Sequence, residues 1–399
     1  MATYDAQRGY LSLAAKSGAI PELDGLRGIA ILLVVLRHAA RPIYDVHGAI
    51  LPLAGWDFAV PLLNGWMGVD LFFVLSGFLI THHLLQRWPE RLHAKFLFQY
   101  WLQRVLRTFP AYYAMLFIVA TGALPFYQPE VEAFPSAVVQ HVFFLQDYFG
   151  SEFMPAFWSL GVEEKFYLLC PFVLMWLRRY PRTRQIWILV MLALLPGLLR
   201  TITLAGIPDG FATYEQFFWI VRSPFHLALD GFWLGMLTAL AYRWQPTVLA
   251  DRANARRLLL LGGTALITAL AFGAAWFDAG YFWSSVLVLL LVPLAFAAVM
   301  LAAITGQTPH TQWLRSRWLR FLAVISYSVY LTHTTMVPVA TRLAESISWY
   351  HHADPLLQFL LYLPLFVALS VATGLILHFT VEKPFLLLKS RIRLRQSTR

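Results

Sequence analysis

Charge is scarce in this chain. Asp, Glu, Lys and Arg make up 13% of its 399 residues, against about 25% in an average soluble protein. A soluble domain of this length needs such charges to cover its surface, so lipid is expected to cover much of it instead. Cysteine is almost absent. The single Cys170 excludes an intramolecular disulfide and any zinc or iron–sulfur site built from several thiolates. The motifs of several common enzyme chemistries are missing as well. Ser76 sits in Val-Leu-Ser-Gly-Phe rather than in a GxSxG elbow, and HExxH, P-loop and Rossmann glycine patterns do not occur. Direct transfer by a general base is the simplest chemistry left open, and no metal is expected. Residues before Leu26 contain no apolar run of signal-peptide type, so no cleaved leader is expected.

What is abundant is apolar. Hydrophobic residues make up 59% of the chain and aromatic residues 16%, with 15 Trp, a composition suited to aromatic belts at two membrane interfaces. Apolar stretches of spanning length recur near 26–41, 66–85, 109–125, 157–177, 185–205, 222–242, 257–277, 281–303, 321–343 and 357–380. The expected fold is therefore all-α, a polytopic integral membrane protein of about ten transmembrane helices. The stretch 137–149 is too short and polar to span and reads as a re-entrant or interfacial piece.

The connecting segments alternate in basicity. One set holds Arg8 and Lys16; Arg87, Arg91, Lys95, Arg104 and Arg107; Arg178, Arg179, Arg182 and Arg184. It continues with Arg243, Arg252, Arg256 and Arg257; Arg315, Arg317 and Arg320; and the tail Arg391–Arg399. The other set is nearly free of Lys and Arg, and its 126–156 segment holds Glu130, Glu132, Asp147 and Glu152 with no Lys or Arg. The positive-inside rule then puts both termini in the cytoplasm. The net charge of +10 thus serves topology and anionic lipid rather than nucleic acid. The expected organisation is a cytoplasmic tail 1–22, one transmembrane domain 23–385 and a basic cytoplasmic tail 386–399.

A charge at the centre of a membrane helix costs on the order of 2.5–3.5 kcal/mol, so ionisable residues there mark cavities or pairs. The first stretch carries Arg27 and His38, eleven residues apart. At about 100° per residue they share a helix face within roughly 20°, separated by about 16 Å along the axis. With Arg27 near the cytoplasmic end, His38 reaches the middle of the bilayer. Glu163, Asp230 and His333 fall at a similar depth on three other stretches, which points to a polar cavity. Plainer readings stand beside this one. His38 or His333 alone can serve as an interhelical hydrogen-bond donor, Asp70 as a packing residue, and Asp230 as a cap or an arginine partner. Glu164 and Lys165 lie on other faces from Glu163, and His82 and His83 fall at the cytoplasmic interface. Cys170 reads as an inert buried thiol before an acyl-thioester nucleophile.

Several motifs at these positions resemble one family, the membrane acyltransferase family 3 of bacterial polysaccharide O-acetyltransferases and Nod-factor acetyltransferases. Leu23-Asp24-Gly25-Leu26-Arg27-Gly28-Ile29-Ala30 looks like the family's opening, followed by its Arg-x10-His pattern ending at His38. Gly68 to Phe78 (GVDLFFVLSGF) is similar to the second-helix signature, and Arg104-Val-Leu-Arg107-Thr-Phe-Pro110 to the basic start of the third helix. Phe157 to Tyr167 (FWSLGVEEKFY), Ile325 to His333 (ISYSVYLTH) and Val381-Glu382-Lys383-Pro384 resemble the remaining blocks. The resemblance runs from about Leu23 to Pro384. There are departures. Gln103 stands where relatives often carry another Arg, Lys165 replaces a common Gln, and Ala228 stands where many have Arg, which leaves Asp230 without an evident partner. The C-terminal hydrolase-like domain of some relatives is not expected.

The resemblance implies acyl-CoA, acetyl-CoA before longer donors, as the donor co-substrate, reached from the cytoplasm, and a hydroxyl acceptor such as a cell-surface glycan. It implies a bacterial inner membrane protein whose partners are the donor, the acceptor and the lipid bilayer. His38 is the expected general base, with Glu163 orienting its imidazole. Arg27, Arg104 and Arg107 are expected to hold the CoA phosphates. Asp70, Trp158, Ser159, Tyr167, Asp230, Tyr327 and His333 are expected to line the acceptor cavity. The competing reading is a proton-coupled secondary transporter that uses the same His/Glu/Asp layer as a relay, but the inverted repeats that it predicts are not found. Acceptor identity and oligomeric state are not readable from the sequence.

Overall fold

The computed structural model describes residues 20–397 apart from 90–92, 125, 130, 208–209, 212, 245, 279–281 and 306–308. Arg8, Lys16, Arg91, Glu130 and Arg399, used above for topology, lie outside the described residues, as does nearly all of the tail 1–22. The chain is an all-α membrane protein. Its strands among the described residues are two short ones, Pro52–Leu53 paired antiparallel with Trp56–Asp57.

Helix α1 (Pro21–His47) opens with Pro21, whose fixed φ and missing N–H suit a first helical turn. Glu22 and Asp24 follow in that turn, where the helix dipole favours negative charge. It stops at Gly48, whose φ of 74° lets its N–H return to the Tyr44 carbonyl at 2.7 Å. The chain continues through α2 (Met67–Arg87), α3 (Ala94–Ala120), the short α4 (Phe134–Val142), α5 (Trp158–Leu177) and α6 (Arg182–Ala205). Then come α7 (Asp230–Trp244), α8 (Arg252–Asp278), α9 (Phe282–Thr305), α10 (Arg317–Thr332), α11 (Pro355–Leu377) and α12 (Lys383–Ser397).

Among the described residues, five helices are long and apolar enough to cross a membrane, over 60–87, 182–205, 252–273, 286–305 and 355–392. The other predicted stretches fall on α1, α3, α5, α7 and α10. Of these, α7 and α10 are only 15 and 16 residues long, and α1, α3 and α5 carry the ionisable residues discussed above. Burial sorts the helices into layers: 83% of the apolar window of α2 is inside the protein, against 11% of that of α8. The first belongs to the core, and the second presents its leucines outward. Helix α1 packs against α2, α10 and α11. Gly68 permits the α1–α2 approach, since a Cβ there would lie 2.3 Å from the Ala30 carbonyl oxygen.

Two predicted stretches turn out to be broken. The sixth was expected as one helix over 222–242. Instead Phe218–Arg222 form a π turn, Ser223 and Pro224 interrupt the chain, and α7 starts only at Asp230. The ninth, expected over 321–343, ends as an α-helix at Thr332. A 3-10 turn, His333–Met336, follows and hands over to the helix Val337–Glu345. Pro224 and Pro338 lack the N–H that a continuous helix needs, and an apolar pattern does not register that loss.

The 137–149 piece does not span. It folds as α4, a reversal at Phe144 with φ 57°, and a helical turn Gln146–Phe149. Tyr112 and Tyr113 of α3 donate to the His141 and Val142 carbonyls at 2.9 and 2.8 Å, and Gln146 donates to the Phe157 carbonyl at 2.8 Å. Lys165 of α5 forms an ion pair with Asp147. The departure noted at Lys165 is therefore the pin that holds this cap down. His141 is buried beneath it, its Nδ1 donating to Ala137 at 2.8 Å, and burial pushes the imidazole down from 6.5 to about 4. A released cap binds a proton at His141 between those values and the docked cap does not. Docking is therefore expected to weaken as pH falls from 6.5 towards about 4. Protection factors across 134–157, taken against the intrinsic exchange rate at each pH, should fall over that window, and His141→Gln should flatten the dependence.

Candidate active site

His38 lies half-buried in the middle of α1. Its Nδ1 is 2.9 Å from the Val34 carbonyl, one turn back. A carbonyl only accepts, so the proton sits on Nδ1 and Nε2 keeps its lone pair. The ring meets that of His333 edge to face, centres 4.7 Å apart and planes at 77°. His333 is fully buried where α10 gives way to the 3-10 turn. Its Nδ1 is 2.8 Å from the Tyr330 carbonyl and 3.2 Å from that of Val329, which sets the same tautomer. The Tyr330 ring packs 5.6 Å from His333, and the Tyr330 hydroxyl meets Ser159 Oγ at 2.6 Å and donates to the Ala156 carbonyl at 3.0 Å.

Glu163 is engaged elsewhere. Its Oε1 accepts from Ser76 Oγ at 2.5 Å and from the Tyr167 hydroxyl one turn along α5. The expectation that Glu163 orients the His38 imidazole is thereby corrected: the Val34 carbonyl and the His333 ring hold it. Depth along a helix was inferred well enough for the pair to meet. The direction in which each side chain points around its helix was not.

The three arginines expected to bind the donor converge around Tyr167 and Glu163. Arg27 pairs with Asp24 at 3.8 Å and lies in the electrostatic field of Arg107, Tyr167 and Glu163. The Arg104 guanidinium sits over the rings of Tyr100 and Tyr167 at 5.7 and 5.5 Å. Tyr327 of α10 donates to the Thr108 carbonyl at 2.8 Å, tying α10 to this stretch of α3. Arg27 and Arg107 repel each other, and an anion between such cations relieves that repulsion.

Asp70 and Asp230 do not present free carboxylates to a cavity, which corrects the role expected of them. Arg222 from the π turn reaches both Asp70 oxygens at 2.8 Å, with its guanidinium 5.6 Å from the Trp66 ring and 5.4 Å from that of Trp158. Trp158 is buried against Phe73 and Phe218. Asp230 is closed by Arg200 of α6 at 2.6 Å, the same guanidinium donating to the Leu227 carbonyl at 2.7 Å. The missing partner of Asp230 thus comes from another helix. Sequence reasoning missed Arg200 and Arg222. Arg200 carried a usable signal, a lone arginine after Leu198-Leu199 inside an apolar run.

These features define an all-α membrane protein with a two-histidine centre and, around Arg27 further along the same helix as His38, a cluster of arginines. The sequence matches the model of acyltransferase family 3, described as an acyltransferase domain, over residues 20–375, and the chain belongs to that family. It is 26% identical over 353 residues to the peptidoglycan O-acetyltransferase OatA of Listeria monocytogenes serovar 1/2a (strain ATCC BAA-679 / EGD-e), covering 82% of this chain and 50% of that protein. A "Putative O-acetyltransferase" of Staphylococcus aureus (strain COL) is 32% identical over 167 residues, 39% of this chain and 24% of its own length. The "Putative peptidoglycan O-acetyltransferase YrhL" of Bacillus subtilis (strain 168) is 30% identical over 168 residues, with the same two shares. The matched region thus spans half or less of the length of these curated relatives. No solved structure matches.

Proposed function

We propose that this chain is an O-acetyltransferase that carries an acetyl group from cytoplasmic acyl-CoA to a hydroxyl of a cell-surface glycan. The reading takes about ten spans with both termini in the cytoplasm of a bacterial inner membrane, and one catalytic domain over 23–385. The observation that carries it is His38: a half-buried imidazole whose Nδ1 is committed to the Val34 carbonyl, which leaves the lone pair on Nε2, on the same helix as Arg27. The acceptor hydroxyl gives its proton to Nε2 as its oxygen attacks the thioester carbonyl. The tetrahedral intermediate then expels the thiolate, which takes the proton back from the imidazolium. Glu163, bound to Tyr167 and Ser76, shapes the path of the donor arm between the arginines and His38.

The donor site is tested directly. Arg27, Arg104 and Arg107 match the CoA phosphates in charge. Acetyl-CoA is expected to raise the unfolding temperature of the detergent-solubilised chain, and Arg104→Ala with Arg107→Ala to shift the half-saturating concentration upward by about tenfold or more. An unchanged dose dependence in the double variant contradicts the phosphate role. No stabilisation of the wild type by acetyl-CoA contradicts the whole reading.

A further inference from the structure

We propose that His333 reads the acceptor: its Nε2 accepts a hydrogen bond from a second hydroxyl next to the one being acetylated, so the acceptor presents a vicinal diol. This rests on the acyl-transfer reading above. His333 is 0% exposed, and its Nε2 has no hydrogen-bond partner among the described residues. Folded proteins leave few buried polar atoms unpaired, because each forfeits its bond to water without replacement. With Nδ1 committed to the Tyr330 and Val329 carbonyls, Nε2 is an acceptor and calls for a donor from a ligand. The reacting hydroxyl has one proton, which goes to His38. The proton that His333 accepts therefore belongs to another group, held beside the first by two rings with centres 4.7 Å apart.

That group lies on the acceptor side. Tyr330, packed on His333, bonds to Ser159 and Ala156 at the start of α5, whereas the arginines gather around Glu163 and Tyr167 one to two turns further along that helix. Under the proposed orientation, His333 faces the side from which the glycan arrives. An amide N–H of the donor's pantetheine arm offers the same chemistry from the opposite direction, and the experiment separates the two.

The test uses the full chain in detergent, acetyl-CoA as donor, and methyl hexopyranosides with their mono-deoxy and mono-O-methyl analogues as probe acceptors. Wild type is expected to lose about 10- to 100-fold in kcat/KM when the hydroxyl beside the acetylated one is removed. His333→Phe keeps a ring against His38 and should erase that discrimination. His333→Gln, whose carboxamide oxygen accepts in the same place, should restore part of it. Discrimination that persists in His333→Phe overturns the proposal. A His333→Phe defect that tracks only amide groups trimmed from the donor, as with S-acetyl mercaptoethanol in place of acetyl pantetheine, overturns the assignment to the acceptor. If acetyl-CoA stabilises the wild type but no hexopyranoside is acetylated, the diol class is wrong while the transfer reading stands. If acetyl-CoA does not stabilise it, the transfer reading itself has failed.

Discussion

His38→Ala is expected to lower acetyl transfer by about 10²- to 10⁴-fold in kcat, the usual worth of a general base. The donor should still bind. The arginines sit around Arg27, about 16 Å from His38 along the helix axis, so the half-saturating acetyl-CoA concentration should hardly move. Membrane insertion and expression should be preserved as well, because His38 is half-buried and its hydrogen bond runs to the backbone of its own helix. The measurement is a steady-state rate on the purified variant alongside acetyl-CoA thermal stabilisation. Turnover near the wild-type value would remove His38 from the chemistry. Loss of donor stabilisation along with turnover would mean that the substitution had disturbed the helix rather than the base.

Arg200→Ala is expected to produce the largest loss of stability, about 3–5 kcal/mol. Arg200 and Asp230 are 0% and 1% exposed and meet at 2.6 Å. Removing the guanidinium strands a carboxylate where neither water nor a cation reaches it. The double variant Arg200→Leu with Asp230→Leu removes both charges and should recover most of that loss, since an apolar pair of similar size needs no partner. Unfolding temperatures in one detergent decide the matter. If the single and double variants are equally unstable, packing rather than the stranded charge is responsible. Arg222→Ala should act in the same direction, because it strands Asp70 and withdraws a cation from the Trp66 and Trp158 rings.

That there are helices, and roughly where, was legible in the sequence, but their ends were not: α1 runs over Pro21–His47 rather than 26–41, and α3 starts at Ala94 rather than near 109. Pro21 with two acids and Gly48 are local signals for the ends of α1 that the apolar pattern passed over, whereas the shortness and polarity of 137–149 already marked it as a piece that does not cross. The breaks at Ser223-Pro224 and at His333 were overrun because hydropathy averages across a missing N–H. At the site, Arg27, Arg104 and Arg107 were legible as a group. Their meeting point at Tyr167 and Glu163 was not, since it depends on how α1, α3 and α5 are rotated against one another. Glu163 is the clearest case: its depth was inferred from helical rise, but its partners Ser76 and Tyr167 depend on the packing of α2 beside α5.

By itself the sequence determined that this chain lives in lipid, that it is helical, that one set of its connections is basic, and that a histidine shares a helix face with an arginine. Each of these follows from composition or from a period of 3.6 residues, and both are written along the chain. Only the tertiary structure decided which groups meet: His38 with His333, Asp230 with Arg200, Asp70 with Arg222, and Lys165 with Asp147 of the cap. Those contacts join residues far apart in sequence. In a nearly charge-free interior each buried charge must find a partner, and the packing of the helices selects which one.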